Sequence, residues 1–308
     1  RALGCTVWDE KGIPYLDFYG GHAVISIGHS HPDYVKKISA QLQKIGFYSN
    51  SVQNPLQQEL AKKLGAQSGY DDYQLFLCNS GAEANENALK LASFHNGRKK
   101  VIAFSKSFHG RTSLAAAVTD NKNYLSPVNE TEHVIILPFN DEQALEDCFS
   151  EMGKEISSVI IEGIQGVGGI NIANESFLGK IRELCNEYGS VYIADSVQCG
   201  YGRTGKFFAI EHWKITPDII AIAKGIAGGY IPLGATIMHE KIYDAIYRGS
   251  GKFVHGLTFG GHPVACAAGL ATLNYMEKHA LVARAEEMGN YLMGKLSYLS
   301  DCWMVGQV

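Results

Sequence analysis

The sequence lacks the features of a secreted, membrane-spanning or nucleic-acid-binding protein. None of its seven cysteines is spaced C-x-x-C, their number is odd, and most lie inside apolar runs. That usage fits buried thiols in a reducing compartment and argues against a disulfide framework. No Lys/Arg-rich arm is present, and 27 basic against 31 acidic residues leave a formal net charge of −4. Nucleic acid is therefore not an expected partner. No apolar run approaches the roughly 20 residues of a membrane span, and no charged-then-apolar leader opens the sequence. The expected location is cytoplasmic, away from the membrane. No metal site is expected: His29-Ser-His31, between Gly28 and Pro32, reads as a turn with no carboxylate or cysteine cluster beside it.

What is there is a chain of 308 residues, 46% hydrophobic and 19% charged. The balance is that of a globular protein able to bury a core without a disulfide or metal. Thr6 to Asp9, a turn at Lys11-Gly12 and Tyr15 to Phe18 predict a hairpin. From Asp33 to Gly46, Val35, Ile38, Leu42 and Ile45 fall on one helical face, with Gly46 as the C-cap signal. Pro55 to Leu64 predicts a second helix. Strand-like runs then alternate with helical stretches: Gln74–Cys78, Val101–Phe104, His133–Leu137, Ser158–Ile161, Val191–Ala194 and Asp218–Ile222. Several are apolar on both faces, as buried parallel strands are. The class is α/β, a mostly parallel sheet covered by helices. Helices are expected over Val264–Lys278 and Leu281–Leu299, with a strand beginning at Trp303 and the chain stopping inside a second domain.

Ligands in such sheets collect where strands end, so the residues after each run carry the chemistry. Gly200-Tyr-Gly202-Arg-Thr-Gly205-Lys206 imitates a phosphate loop, but a P-loop needs Ser or Thr next and here stands Phe207. Asn79-Ser80-Gly81-Ala82-Glu83 follows a strand and opens a helix. It reads equally as an anion cradle at a helix N-terminus and as a capping box from Ser80 to Glu83. Asp195, taken alone, is a turn or cap aspartate. Lys224 ends a run buried on both faces, where a surface lysine is out of place; a buried lysine with a depressed pKa suits Schiff-base chemistry. Together these positions supply a phosphate cradle, an acid for a pyridine nitrogen and a lysine. That is the set expected for pyridoxal 5′-phosphate.

With these residues the chain resembles the class III aminotransferases of pyridoxal-phosphate fold type I, and within them the acetylornithine and ornithine enzymes. The matching motifs run in family order: Tyr15-Leu-Asp-Phe18, Gly28-His-Ser-His-Pro32, Asn79 to Glu86, Phe108-His-Gly-Arg-Thr112, Ile161 to Gly166, Ala194 to Gln198, Gly200 to Gly205, Pro217 to Ile220, Ala223-Lys-Gly225 and Thr258-Phe-Gly-Gly261. The resemblance implies an N-terminal segment (1–44), a large cofactor domain (45–268) built on a seven-stranded sheet, and the start of a small α+β domain (269–308). It implies that Lys224 bonds the cofactor and moves the substrate proton, and that Asp195 holds the pyridine nitrogen protonated. Gln198 would reach the ring hydroxyl, Val197 and Phe108 would pack on opposite ring faces, and Gly81 and Ala82, beside Ser80, would bind the phosphate. Glu162 belongs to the same cofactor set. Thr258 would reach the phosphate of a neighbouring subunit, which implies a homodimer.

Arg111 is implied as the clamp for a substrate carboxylate. Departures fall around the substrate: His22 replaces a substrate-contacting tyrosine, and Val167 replaces a glutamate that masks a second arginine. That arginine would belong to the small domain beyond Val308. Ser196 and His262 replace a glutamate and an asparagine. The activity expected is transfer of the terminal amino group of an N²-acylornithine, acetyl or succinyl, to 2-oxoglutarate in arginine biosynthesis. Ornithine, 4-aminobutyrate or a diamine are the alternative donors, and an aminomutase or racemase shares the fold.

Overall fold

The computed structural model describes residues 1–249, 255–306 and 308. Its centre is a seven-stranded sheet. In chain order the strands are β1 (Tyr73–Cys78), β2 (Lys100–Phe104), β3 (Val134–Leu137), β4 (Ile156–Ile161), β5 (Val191–Asp195), β6 (Ile219–Ile222) and β7 (Gly234–His239). Across the sheet they run β1-β7-β6-β5-β4-β2-β3. All neighbours are parallel except where β7 lies antiparallel between β6 and β1. The first six strands sit where the apolar runs place them, to within one or two residues.

β7 has no such run in the reading of the sequence. It opens on Gly234-Ala235, poor strand formers, and its pairing is supplied by β6 and β1. Gly234 is required there: a Cβ would come within 2.6 Å of the Ser80 carbonyl oxygen, so β7 can lie beside the turn after β1 only without a side chain.

Alternate residues of each strand face opposite layers. Val101, Ile160, Ile193 and Ile219 pack on helix α3 (Gly81–Asn96) through Ala88, Leu91 and Ala92. Ile102, Val159, Tyr192 and Ile220 face the other layer. That layer holds α1 (Pro32–Lys44), α2 (Pro55–Ser68), α4 (Glu142–Met152), α5 (Glu175–Tyr188) and α6 (Pro263–Lys278). The last long helix is α7 (Leu281–Leu296). The hairpin is present, pairing Thr6–Trp8 with Pro14–Leu16. Five of the seven cysteines are buried, as the apolar runs around them suggest; Cys5 is exposed and Cys302 partly so.

Four expectations need correction. The buried face of α1 is Tyr34 and Ile38, while Val35, Leu42 and Ile45 are exposed. Tyr34 turns the helix: its hydroxyl donates to the Ala227 carbonyl at 2.7 Å and its ring lies 4.2 Å from that of Tyr230. Gly46 does not cap α1, because the helix ends one residue earlier in an extended Ile45. At the other end, α7 stops at Leu296 and continues as a tighter turn, Ser297–Asp301. Trp303 to Gly306 form no strand, there being no strand partner among the described residues; Gln307 lies outside them.

Asp218 ties the sheet to its surroundings at the edge opposite the ends of β4, β5 and β6. It accepts from the Tyr192 amide (2.9 Å), Arg182 Nη1 (2.9 Å) and Lys241 Nζ (2.5 Å). Burial alone would raise its pKa, but the Arg182 and Lys241 charges outweigh it and hold the carboxyl below its usual range. Such a depressed group contributes stability above the ordinary carboxylate pKa and loses it as pH falls through the folded value. Asp218→Asn is therefore expected to cost about 2–3 kcal/mol at pH 7. In thermal unfolding the gap from wild type should hold down to the ordinary carboxylate value of 3.8 and narrow only as the pH falls below it; a gap that stays constant there would show that the charge is not what Asp218 contributes.

Candidate active site

Five of the strands deliver their following residues to one edge of the sheet. β1 leads to Asn79-Ser80-Gly81, β2 to the loop around Phe108, and β4 to Glu162; β5 ends on Asp195, and Lys224 stands two residues after β6. There they line a cavity of about 680 Å³, with Ala82, Arg111, Val197 and Gln198 also on its wall. Ten of the residues singled out in the sequence are thus brought together. Val24, Asn85, His109 and Tyr230 to Leu233 complete the wall and were not singled out.

At the mouth of α3 the Ser80 cap is present, but the box expected from Ser80 to Glu83 is not closed on Ser80 itself. Ser80 Oγ accepts the Glu83 amide at 3.2 Å. The Glu83 carboxylate reaches past Ser80 to the Asn79 amide, at 2.6 Å. The amide of Ala84 is taken by the Ser80 carbonyl. The amides of Gly81 and Ala82 lie in the first turn, where no helix can satisfy them internally, and both residues line the cavity. Packing alone keeps a side chain away from Gly81: a Cβ there would meet the Val197 side chain at 2.7 Å.

Asp195 is buried at the floor. Its Oδ2 takes Asn85 Nδ2 at 2.7 Å and pairs with His109 Nδ1 at 2.8 Å, while Oδ1 takes the Val197 amide at 2.9 Å. Asn85 and His109 sit inside the motifs quoted for the resemblance, and their being buried polar side chains is what marks them here. Asn85 Oδ1 and His109 Nε2 are buried without a partner in this single chain. Glu162 accepts the Phe108 amide at 2.9 Å. Burial pushes its carboxyl up to about 7, with the Asp195 charge adding to the effect and His109 opposing it.

Lys224 has a left-handed backbone, φ 49°, which costs a non-glycine residue about 1–3 kcal/mol and is typical of functional positions. Its ammonium pKa is lowered, chiefly by burial and further by the Arg203 charge, while Asp195 and Glu162 pull the other way. Arg203 comes from the glycine-rich loop rejected as a P-loop, and its guanidinium donates to the carbonyls of Ala23 (3.1 Å) and Ile25 (3.4 Å). That loop runs on through Phe208 into a short turn, Ala209–Trp213, not into the long helix a phosphate loop needs.

Arg111 is exposed at the cavity rim, its guanidinium carbon 5.7 Å from the Phe108 ring centre and 5.4 Å from that of Tyr124. Among the described residues it forms no ion pair, so two aromatic faces brace a charge that no carboxylate of the chain uses. Tyr124 was not foreseen. Three expected residues are not on this wall. His22 is exposed and contacts the Tyr19 hydroxyl, in a left-handed turn two residues before Val24. Val167 is exposed. Thr258 lines a separate cavity of about 560 Å³ against β1. His29, of the pair read as a turn, bonds Asp17 at 2.7 Å.

The residues fit pyridoxal 5′-phosphate: free amides for a phosphate, a buried carboxylate for a ring nitrogen, apolar walls from Val197 and Phe108, and a lysine of lowered pKa. The comparisons point the same way. Residues 1–308 match the model of the family described as aminotransferase class-III. The acetylornithine aminotransferase of Methanopyrus kandleri is 41% identical over 302 residues, covering 97% of this chain and 75% of that protein. That of Archaeoglobus fulgidus is 40% identical, covering 96% and 76%. Among solved structures, an (S)-enantioselective omega-transaminase from Thermomicrobium roseum superposes with a TM-score of 0.94 at 29% identity, covering 100% of this chain and 74% of that one. The ornithine aminotransferase of Toxoplasma gondii gives 0.88 at 29% identity, covering 96% and 70%.

Glu162 offers a test that needs no cofactor. A carboxyl raised in the folded state contributes stability below its ordinary pKa and loses it as pH rises through the folded value. The window here runs from 4.5 to about 7. Glu162→Gln should leave the melting temperature of the cofactor-free protein unchanged near pH 5 and raise it by a few degrees at pH 8. An equal effect at both pH values would contradict the shifted carboxyl.

Proposed function

The chain belongs to the class III aminotransferases, and from that premise we propose that it moves the terminal amino group of an N²-acylornithine to 2-oxoglutarate. It is a pyridoxal-phosphate-dependent transaminase; the donor, the acceptor and the residue roles are the reading offered here. The observation that carries the reading is Arg111, a guanidinium free of ion pairs at the rim of the cavity that holds Lys224. Relatives 39–41% identical bear the name acetylornithine aminotransferase, which supports an acylornithine over a simple amine.

When bound, the cofactor supplies an aldehyde that carries the amino group and a protonated ring that withdraws electrons from the carbon losing its proton. Lys224 holds it covalently and then serves as the base at that carbon, a task suited to an amine of lowered pKa. Asp195, fixed by Asn85 and His109, keeps the ring nitrogen protonated. The amides of Gly81 and Ala82, with Ser80 beside them, hold the phosphate at the positive end of α3. Val197 and Phe108 would pack against the ring and Gln198 would hold its hydroxyl, while Glu162 supports the Phe108 loop. Arg111 takes the donor's α-carboxylate, which directs the far amino group inward. His22 and Val167, exposed and off the cavity wall, would meet only an acyl group that extends beyond the wall; there Val167 in place of a glutamate would remove a negative charge and favour a succinyl group alongside an acetyl group.

A second copy of the chain completes the reading. Phe47 and Phe259, both exposed, have ring centres 5.0 Å apart next to Thr258, and Tyr48 beside Phe47 in the chain is exposed too. A homodimer burying this patch would bring Thr258 of one copy to the phosphate of the other. Among the described residues no helix is long and apolar enough to cross a membrane.

Two measurements test the reading. Borohydride reduction should fix the cofactor to Lys224 in the wild type and leave none fixed in Lys224→Ala; an adduct on another lysine would displace the assignment. In a survey of donors followed by cofactor absorbance, N²-acetylornithine and N²-succinylornithine should react best. Arg111→Ala should cut kcat/KM for both about a hundredfold while sparing monoamines. Equal losses for monoamines would remove Arg111 from the substrate site.

A further inference from the structure

Helix α3 does more than point its first amides at the cavity. It also fastens the loop that carries Phe108 and Arg111, at successive positions along one side. Ala82 packs against Gly110, where a Cβ would approach the Ala82 side chain to 2.6 Å and the backbone φ is 135°. Asn85 Nδ2 donates to the His109 carbonyl at 2.8 Å. One residue on, Glu86 takes the far end of the loop. Its Oε1 accepts the Leu114 amide at 3.0 Å, and its Oε2 accepts the Ala115 amide at 2.9 Å and the Thr112 hydroxyl at 2.7 Å.

These amides belong to the first turn of a five-residue helix, Ser113–Ala117. Its N-cap residue, Thr112, makes no side-chain cap of its own. The orphan donors of that turn are met instead by a carboxylate from another helix, a charge-assisted arrangement about twice as strong as a neutral cap. Among the described residues Glu86 forms no ion pair; its charge also bears on His255, but its carboxylate hydrogen bonds go to the loop. Arg111 lies between the two fastenings, after His109 and before Thr112. Beyond them its guanidinium lies over the aromatic faces of Phe108 and Tyr124, which resist sliding weakly. Where the guanidinium rests is thus set by the backbone on either side of it.

We propose that Glu86 is a positioning residue for Arg111, and that it thereby sets the enzyme's preference for donors bearing a carboxylate. This rests on the reading of Arg111 as the carboxylate clamp. Bidentate recognition tolerates little displacement, and an ångström of misplacement costs a bound group much of its effect. Releasing Thr112, Leu114 and Ala115 moves the clamp while leaving Lys224 and Asp195, on other elements, in place. Gln at position 86 keeps one acceptor oxygen and so can serve one of the two amides.

The test compares kcat/KM for N²-acetylornithine and for a monoamine without a carboxylate, 1-phenylethylamine. The proteins are wild type, Glu86→Ala, Glu86→Gln, Arg111→Ala and the Glu86→Ala/Arg111→Ala double variant, all cofactor-loaded. Glu86→Ala should raise KM for acetylornithine about tenfold with kcat little changed, and leave the monoamine within about twofold. Glu86→Gln should fall between it and the wild type. In the Arg111→Ala background, removing Glu86 should leave the donor ratio where it was. A loss equal for both donors, or effects that add in the double variant, would overturn the proposal by showing that Glu86 only stabilises the fold. If Arg111→Ala alone leaves the donor ratio unchanged, the clamp reading falls first and takes this one with it. Thermal midpoints of Glu86→Gln and Arg111→Ala close to wild type would keep the comparison free of unfolding.

Discussion

The carboxylate of Asp195 is where the parts of this site are joined. It ends β5, a strand buried on both faces, so its position is fixed by the core. Its oxygens then take Asn85 from α3, His109 from the loop after β2 and the amide of Val197 from its own turn. A buried carboxylate must be met by donors or be expelled. Meeting that demand brings a helix, a loop and a strand to one point. The cradle amides at the start of α3 and the rim arginine beyond His109 take their places relative to this point.

Around it, glycines mark where backbones must come close. Gly81 makes room for Val197, Gly110 for Ala82, and Gly234 for the carbonyl of Ser80. Each contact links a segment that ends at the cavity with another that does. Gly166 and Gly168 do the same on the β4 side, against Gln198 and the Lys106 carbonyl. These are tight contacts between elements distant in sequence, and they leave the wall little freedom to spread.

The electrostatics follow from the same packing. Lys224 and Glu162 are both shifted toward neutrality, the lysine downward and the glutamate upward, and burial is the leading cause for each. The strained backbone of Lys224 belongs here too: the strand before it and the packed turn after it hold a conformation that a free lysine would leave.

The sequence by itself determined the α/β class, six of the seven sheet strands, and the residues at their ends. Hydrophobic runs report burial directly, and short motifs at strand ends carry the chemistry. Lys224 and Gly81 stood out at their places for that reason, Asp195 only as a member of the set, and Arg111 only through the family resemblance. Other features were decided by the tertiary structure. β7 exists because β6 and β1 flank it, and Tyr34 chose the buried face of α1 by reaching Ala227 and Tyr230. Asn85, His109, Glu86 and Tyr124 gained their places at the site from contacts across gaps of 24 residues or more, or from an aromatic facing a charge. Periodicity and local motifs record what a residue needs from its neighbours in the chain. They hold no record of which distant partner a polar side chain will meet once the core has closed.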